Sequence, residues 1–406
     1  MKQVIVVITL MIFSWIDALG TVRTIAVFPF VNLSKNQQIY WVSEGLSELL
    51  QERLDSPKLK VTSREERMQV FEQLGIPNAI TLSRASLIKI AEKLKADWVV
   101  VGQFHCLERQ LSISFSVLDR STSFLSSPVQ EEGKLDKIQQ LSTRLGWRLM
   151  KLMDPEFPVD QGSFTSRFKV VSNAAFEHYI RGLIELDKFR QLQYLRQADR
   201  LAQNYSAAIF QLGRIYHEQR AYSTSSFWFN KLFQVENGFE EGKFFLGLNH
   251  LYLKEYDKAT LVFRSLKRTA PLREVYGNLG IALARQGAHG EATYWLEEAA
   301  KGNTWNSNFH FNLAYHLWRN RKFKRALDSL SDTLNQNPAD SEAHYLFYKC
   351  LGSVGRSEEA ILSWEHALKL KPTLKMWKMR KYIPDLYRVH KKLDRESFRR
   401  IIVKQT

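Results

Sequence analysis

A small residue recurs at an almost constant interval in the second half of the chain, and this recurrence restricts the possible folds more than any other feature. The residues concerned are Ala259, Ala292, Ala326 and Ala360. Twelve residues before these alanines the chain places Gly247, Gly280, Ala314 and Tyr348. Four residues after them it places Phe263, Leu296, Leu330 and Trp364. Self-similarity with a period of about 34 residues is typical of repeat proteins, so the second half is predicted to be a stack of one repeated unit.

Each unit is predicted to be a hairpin of two antiparallel helices. The small residues let the two backbones approach, and the large residue fills the neighbouring groove. A proline near the end of three units ends the second helix, because proline has no N–H to donate; these are Pro271, Pro338 and Pro372. The pattern closely resembles the tetratricopeptide repeat (TPR), and six repeats are counted over residues 175–374.

The resemblance to the TPR family implies an all-α solenoid whose first helices line a concave binding surface. The candidate partner-binding residues on that surface are Phe210, Arg214, His217, Phe244, Phe311, Tyr315, Trp318, Tyr345 and Lys349. The alternative is that these side chains pack against neighbouring helices or the tail of the chain. One subset of the family grips a peptide's terminal carboxylate with Lys, Asn and Arg. Asn278 and Asn312 are candidates for that set, but they lack its basic members, so this ligand is not expected.

The first half of the chain changes period. Short apolar runs such as RTIAVFPF and DWVVVGQF indicate buried strands, and QLSISFSVLD alternates as a strand at a sheet surface does. Helical patterns separate these runs, and Ser63 with Glu66 has the spacing of a capping box. Ser83 is a second predicted N-cap. An α/β domain with a mixed sheet is therefore predicted for residues 21–153.

This half resembles the amino-terminal domain of TolB-like proteins, which are related in layout to the envelope proteins CsgG and FlgO. The phrases that carry the resemblance are IAVFPFVNLS, WVSEGLSELLQERL, KVTSREE and LIKIAEKLKADWVVVGQF, in that order. In proteins of this kind the domain is commonly followed by TPR repeats, and the same order is predicted here. The domain is hypothesised to dock to an envelope component.

Two segments flank the predicted solenoid. Residues 154–174 contain prolines, Gly162 and serines, and they are interpreted as an interdomain linker. Residues 375–406 are predicted to form a basic capping helix or tail. From Lys369 onward the chain has 13 lysines and arginines against 3 acidic residues. One face of a helix here is predicted to carry Trp377, Tyr382, Leu386, Val389 and Leu393. The alternative role for this segment is a site for anionic lipid or an acidic partner.

The first twenty residues have the pattern of a secretory signal peptide. Lys2 precedes an apolar run from Val4 to Phe13, and Ala18 and Gly20 supply small residues at a cleavage site. The apolar run is shorter than the roughly 20 residues that span a bilayer. Residues 1–20 are therefore predicted to be removed, with an uncleaved anchor as the alternative. The mature protein is expected in the periplasm or at the cell envelope.

The motifs of common enzyme classes are missing from the sequence. There is no glycine-rich phosphate loop, no nucleophile elbow, and no pair of histidines with zinc-protease spacing. Cys106 and Cys350 fall in different predicted domains, which argues against a disulfide. The formal net charge of +16 favours anionic partners, but export argues against nucleic acid. No cofactor or metal is expected.

The sequence therefore predicts an exported, non-enzymatic scaffold that binds a partner protein or peptide in the TPR groove. Two alternatives remain in the non-enzymatic class. The first is an envelope-surface binder that holds anionic lipid or glycan through its basic tail. The second is an accessory subunit of an envelope or secretion assembly. An enzyme accessory with an active site built from distant residues is the third alternative.

Overall fold

The computed structural model describes residues 22–34, 36–54, 56, 59–77, 82–235, 239–302, 305–380 and 384–394. The predicted leader, residues 1–20, lies outside these ranges. The chain divides into two compact units between Ala208 and Ile209. The sequence-based boundary at residue 174 thus falls inside the first unit. The reason is that the first helical hairpin packs on the α/β elements, where the rings of Trp41 and Phe176 meet edge to face at 6.0 Å.

The first unit contains a seven-stranded mixed sheet among its described residues, which confirms the predicted fold class. The strands are β1 (Arg23–Val27), β2 (Val31–Asn32), β3 (Leu59–Val61), β4 (Trp98–Leu107), β5 (Gln110–Asp119), β6 (Phe124–Leu125) and β7 (Val129–Lys134). Their order is β3-β1-β4-β5-β6, with β2 beside β4 and β7 beside β5. β1 runs parallel to β3 and β4, whereas β5 is antiparallel to its neighbours. In β5 the apolar side chains face the core and the serines alternate with them, as predicted.

Helices cover this sheet and lead into the first hairpin. They are α1 (Trp41–Leu54), α2 (Arg64–Gln73), α3 (Arg84–Leu94), α4 (Ile138–Met153), α5 (Gln161–Thr165), α6 (Asn173–Ile184) and α7 (Lys188–Leu201). Both predicted N-caps are confirmed. Ser63 accepts from the Glu66 N–H while the Glu66 carboxylate accepts from the Ser63 N–H. The Ser83 side chain accepts from the Ser86 N–H.

A buried arginine joins α2 to α1 and to the sheet. Arg67 is 1% exposed, and its Nη1 donates to the Val27 carbonyl at 2.8 Å and to the Ser47 hydroxyl at 2.7 Å. Its Nη2 pairs with Glu44. Burial, together with the charge of Glu44, raises the pKa of Glu48 to about 7. The cluster therefore joins α1, α2 and the sheet through buried polar contacts.

The segment interpreted as an interdomain linker contains a short helix and a buried aromatic side chain. It contains α5, and Phe164 of that helix is only 3% exposed. The Phe164 ring lies 6.1 Å from the ring of Phe157 and 5.3 Å from the ring of Phe168. The composition of the segment indicated an interdomain linker, and its three phenylalanines pack on one another beside α4. This part of the chain is therefore a packed element of the first unit.

The second unit begins within the first of its helices and consists of helical hairpins, with one short helix after them. The helices are α8 (Ser206–Glu218), α9 (Tyr222–Val235), α10 (Glu240–Tyr252), α11 (Tyr256–Thr269), α12 (Arg273–Gln286), α13 (His289–Ala300), α14 (Asn308–Arg319), α15 (Phe323–Gln336), α16 (Ser341–Ser353), α17 (Ser357–Leu370) and α18 (Lys375–Arg380). With α6 and α7, the described residues contain six hairpins, which is the number that the sequence predicts.

The small and large residues of each hairpin meet as the repeat pattern requires. A Cβ added to Gly247 in α10 would lie 2.6 Å from the Phe263 ring in α11. The corresponding distance from Gly280 in α12 to Leu296 in α13 is 2.7 Å. Glycine is therefore needed at these positions because a large side chain of the second helix occupies the space that a Cβ would take.

The helix predicted as one form of the tail is not present in the part of the tail that the structure describes after α18. Residues 384–394 have no helical structure. Proline at position 384 has no N–H, so a helix through it would lose a hydrogen bond. Trp377 lies in α18 and its ring packs edge to face on Tyr345, 5.3 Å away. Tyr382 lies outside the described residues.

Candidate functional site

The tail of the chain, residues 384–394, runs along the first helices of three successive hairpins in the second unit. Its contacts are with α12, α14 and α16, and we call the surface that these helices form the groove. Leu386, Tyr387 and His390 of the tail are each at most 8% exposed. The groove therefore already holds a segment of polypeptide, and its contacts show what kind of segment fits.

Two asparagines bind the main chain of the tail on both of its polar groups. Asn312 of α14 donates to the Arg388 carbonyl at 2.8 Å and accepts from the Arg388 N–H at 2.7 Å. Asn278 of α12 donates to the His390 carbonyl and accepts from the His390 N–H, both at 2.9 Å. The asparagines are one repeat apart and the bound residues are two apart. Each repeat thus pairs with every second residue of the tail, which is also how a neighbouring strand would pair with it.

Side chains at the groove bind the arginine of the tail. The Arg388 guanidinium donates to both carboxylate oxygens of Asp340, at 2.5 and 2.8 Å, and to Glu342 at 3.2 Å. It also donates to Asn308 and lies over the Phe311 ring, 3.3 Å from the centroid. Burial opposes ionisation of Asp340, but the bonds from Arg388 and from N–H groups at the start of α16 hold the pKa of that carboxyl below its ordinary value. This pocket combines bidentate pairing with a cation–π contact, two interactions that favour arginine over lysine.

Tyr387 of the tail is fixed by α14. Its ring meets the Tyr315 ring edge to face at 4.8 Å, and its hydroxyl lies 2.8 Å from His316 Nδ1. Burial is the main cause that lowers the pKa of His316 to about 4. His316 Nε2 lies 3.1 Å from the His289 carbonyl, which can only accept. The neutral imidazole therefore carries its proton on Nε2 and accepts the tyrosine hydroxyl on Nδ1.

The imidazole of His390 occupies space that is open because Gly277 of α12 has no side chain. It stacks on the Phe309 ring at 4.1 Å, and a Cβ on Gly277 would lie 2.8 Å from its Cδ2. Burial lowers the pKa of His390 to about 4. The bound histidine is therefore neutral at physiological pH.

Substituting Gly277→Ala is expected to displace His390 and loosen the tail. The new methyl group overlaps the imidazole, and overpacking of this kind costs about 1–3 kcal/mol. Amide exchange of residues 386–391 should accelerate about tenfold or more. Alanine favours the helix more than glycine does, so α12 itself should not be destabilised. Gly352→Ala in α16 is the matched control, since nothing lies within 4 Å of its added Cβ. Equal protection of the tail in both variants would contradict the role given to Gly277.

The structure brings only some of the nine candidate groove residues to the tail. Phe311 and Tyr315 contact it directly, and Trp318 stacks on Tyr315 at 5.9 Å. Tyr345 is 2% exposed and packs on Trp377 of α18. Lys349 lies on the same helix, α16, and is partly buried.

The remaining candidates lie in the earlier hairpins and pack on other side chains. Phe244 is fully buried against the Phe263 ring, so its assignment to the groove is corrected to the hairpin interior. The ring of Phe210 is 4.7 Å from that of Phe239. Arg214 lies over the Phe210 ring at 5.9 Å, and His217 Nδ1 lies 2.6 Å from Asn249.

Sequence reasoning named the two most informative residues of the groove but set them aside. Asn278 and Asn312 lack the basic companions that binding of a terminal carboxylate requires, so the sequence does not predict a ligand for them. In the structure the two asparagines instead form hydrogen bonds with the main chain of the tail. The available signal was their separation by one repeat, which places the same amide at the same position of two consecutive repeats.

The described residues contain no candidate metal site. They contain no group of three or more His, Cys, Asp or Glu arranged to hold a metal ion. Cys106 and Cys350 are separate free thiols. Among these residues no helix is long and apolar enough to cross a membrane.

Hairpins that recur at a nearly constant interval, each closed by a small residue against a large one, define one repeat fold. The second unit is a tetratricopeptide-repeat solenoid. The family model of anaphase-promoting complex, cyclosome, subunit 3 matches residues 285–367 of this TPR region, about a fifth of the chain.

Known structures with this fold are similar to the chain at low identity. YrrB, described as a TPR protein with an unusual peptide-binding site, is 14% identical over 47% of this chain and 98% of its own, with a TM-score of 0.40. MamA is 15% identical over 43% of this chain and 95% of its own, with a TM-score of 0.38. No curated protein matches the chain. At these identities the likeness concerns the fold alone.

Proposed function

We propose that this chain is an exported, non-enzymatic scaffold that binds an extended segment of a partner protein in the groove of its TPR solenoid. The observation that supports the proposal most directly is the pairing of Asn278 and Asn312 with alternate residues of the tail main chain. Such pairing recognises an extended backbone whatever its side chains. The pockets beside it then select among segments.

Groove aromatics and acids supply the rest of the binding energy. Phe309, Phe311 and Tyr315 are each at most 3% exposed with the tail in place. Truncation of buried aromatic anchors at protein interfaces typically weakens binding by about 2 kcal/mol or more. Asp340 and Glu342 add negative charge where the bound segment places its arginine. The groove thus favours a basic or neutral partner segment over an acidic one.

Export and attachment to the envelope complete the proposal. The leader pattern of residues 1–20 supports export, and the TolB-like phrases of the first half support docking to an envelope component. A reporter enzyme that is active only outside the cytoplasm, fused after residue 394, should be active. The mature protein should begin at Thr21. An inactive reporter would contradict export, and a retained Met1 would favour the anchored alternative.

The scaffold function is tested by capture from an envelope extract. We expect the wild-type chain to retain a specific protein, and we expect the double variant Asn278→Ala with Asn312→Ala to lose it. The matched control is Phe227→Ala, because Phe227 lies on α9 with 62% of its surface exposed and outside the groove helices. Retention by the double variant at wild-type level, or the same loss in the control, would contradict binding in the groove.

The alternative of an anionic surface held by the basic tail has less support. Arg388, at the centre of the described tail, already pairs with Asp340 and Glu342. Its charge is therefore compensated within the chain.

A further inference from the structure

Building on the proposed function, we propose that residues 384–394 are an internal ligand of the groove, and that the partner presents the same signature in an extended segment. The signature is an aromatic residue, an arginine directly after it, and a histidine two residues after the arginine. The tail itself reads Tyr387, Arg388, Val389 and His390 at these positions. Partner binding then requires displacement of the tail.

The arginine position is the most selective part of the signature. The guanidinium meets both oxygens of Asp340, whose side chain is 5% exposed. It also lies face-on to Phe311 at 3.3 Å. A lysine ammonium cannot make the paired bonds, and an uncharged residue would leave the buried Asp340 carboxylate without its main partner. We therefore expect the partner to carry arginine here.

The two ring positions define the spacing of the signature. Tyr387 places its hydroxyl on His316 and its ring on Tyr315. His390 lies flat between the Phe309 ring and the backbone at Gly277, with 6% of its surface exposed. Both asparagine pairs hold the backbone so that Arg388 and His390 project at fixed intervals. A segment with its arginine and ring at another spacing could not fill both pockets.

The mode of attachment makes the tail a competitor that can be displaced. The described part of the tail has no helix or strand of its own, and two of its residues, Arg388 and His390, pair their main chain with asparagine side chains. Only residues 381–383 separate it from α18, so it acts at a high effective concentration, about millimolar for a short connection. A partner in solution meets a groove that is vacant for a small fraction of the time, and its apparent affinity falls by that fraction.

The test uses a labelled peptide with the sequence of residues 384–394 and the full chain. We expect Arg388→Ala to weaken the tail and to bind the wild-type peptide at least about tenfold more tightly than the wild-type chain does. Adding Asn312→Ala to this variant should remove the gain. Lys392→Ala is the matched control, since Lys392 is an exposed residue of the same tail, and it should behave as the wild type does. A peptide with alanine in place of its arginine should bind at least about tenfold more weakly.

Several results would overturn the inference. One is equal peptide affinity of the wild-type and Arg388→Ala chains while amide exchange shows the tail released in the variant. Another is a wild-type chain that dimerises through the tail, measured by light scattering over a range of concentrations, because the tail would then serve a second copy. Arg388→Ala could lower the melting temperature so far that binding is not measurable, and His390→Ala then serves as the second variant because it releases the tail from its other pocket. If the His390→Ala chain binds the peptide no more tightly than the wild-type chain does, the inference is also overturned.

Failure of this inference and failure of the proposed function have different outcomes. A tail-released chain that captures an envelope protein but ignores the peptide would reject the shared signature and leave the scaffold function standing. A chain that binds the peptide but captures no envelope protein, with the tail docked or released, would reject the scaffold function.

Discussion

Substituting Phe263→Ala is expected to lower the free energy of unfolding of the TPR unit by about 3–5 kcal/mol, the range for removing a buried phenylalanine. The Phe263 ring is fully buried, and it fills the space left open by Gly247 in the facing helix. Helices that are held apart by other contacts cannot close over the resulting cavity, so the surrounding side chains lose their packing. Urea denaturation monitored by circular dichroism measures the change.

The control for this experiment is Phe227→Ala. The Phe227 side chain is 62% exposed on α9, so its removal should change stability by about 0.5 kcal/mol or less. Equal losses in the two variants would show that the contact between Gly247 and Phe263 does not hold the hairpin together. The prediction would then be wrong, and with it the interpretation of the repeat pattern.

Acidification from pH 7 to pH 5 is expected to weaken docking of the tail about 20-fold. Burial lowers the pKa of docked His390 to about 4, from an ordinary value of 6.5. Between these values the free tail takes up a proton and the docked tail does not. Docking is therefore fully present above pH 6.5, and it is lost progressively as the pH falls towards 4. Amide exchange of residues 386–391 across this range measures the effect.

The groups around the tail act on this profile in both directions. The pKa of His316, which faces Tyr387, is lowered to about 4 by burial, so its protonation also opposes docking in acid. The pKa of Glu274 is raised mainly by burial; the charge of Asp394 in the tail raises it further, whereas a hydrogen bond from the Asp394 main chain lowers it, so the tail acts on this carboxyl in both directions. Burial opposes ionisation of Asp340, but its hydrogen bonds with Arg388 depress its pKa, so this pair persists at a pH where an ordinary aspartate is already protonated. The Phe309 ring and the Asn312 amide, which both contact the His390 ring, do not titrate.

The matched variant for the acid experiment is His390→Phe. Phenylalanine keeps a ring against Phe309 but has no proton to gain, so tail exchange in the variant should lose most of its dependence on pH between 5 and 7. Identical pH profiles for the wild type and the variant would assign the effect to another group and contradict the role of His390.

The hairpins could be predicted from the sequence because each depends on contacts within a single repeat. Gly247 and Phe263 are separated by one turn between helices, and the repeat brings the same pair together in the next unit, as Gly280 with Leu296. The cap at Ser63 and the alternation in β5 are also local. In each case the structure depends on contacts between residues that are close in the sequence, so the fold class could be predicted from the sequence.

The candidate site could be predicted only in part. Phe311, Tyr315 and Trp318 share a helix face, which the spacing of residues along a helix already implies. Whether that face is open or filled depends on a segment two repeats further along the chain. The helical spacing of apolar residues in the tail suggested a capping helix, and the pattern did not show that asparagine side chains would satisfy an extended backbone instead.

The sequence by itself determined the repeat, its period and the pairing of small with large residues, because these follow from helix geometry and local packing. Only the tertiary structure decided where the tail lies. The pairing of Asn278 with His390 joins residues 112 positions apart, and that of Asn312 with Arg388 joins residues 76 apart. No periodicity connects such residues, since their contact exists only once the hairpins have stacked and formed the groove. The assignment of the groove as a site for an extended arginine-containing segment rests on that long-range contact.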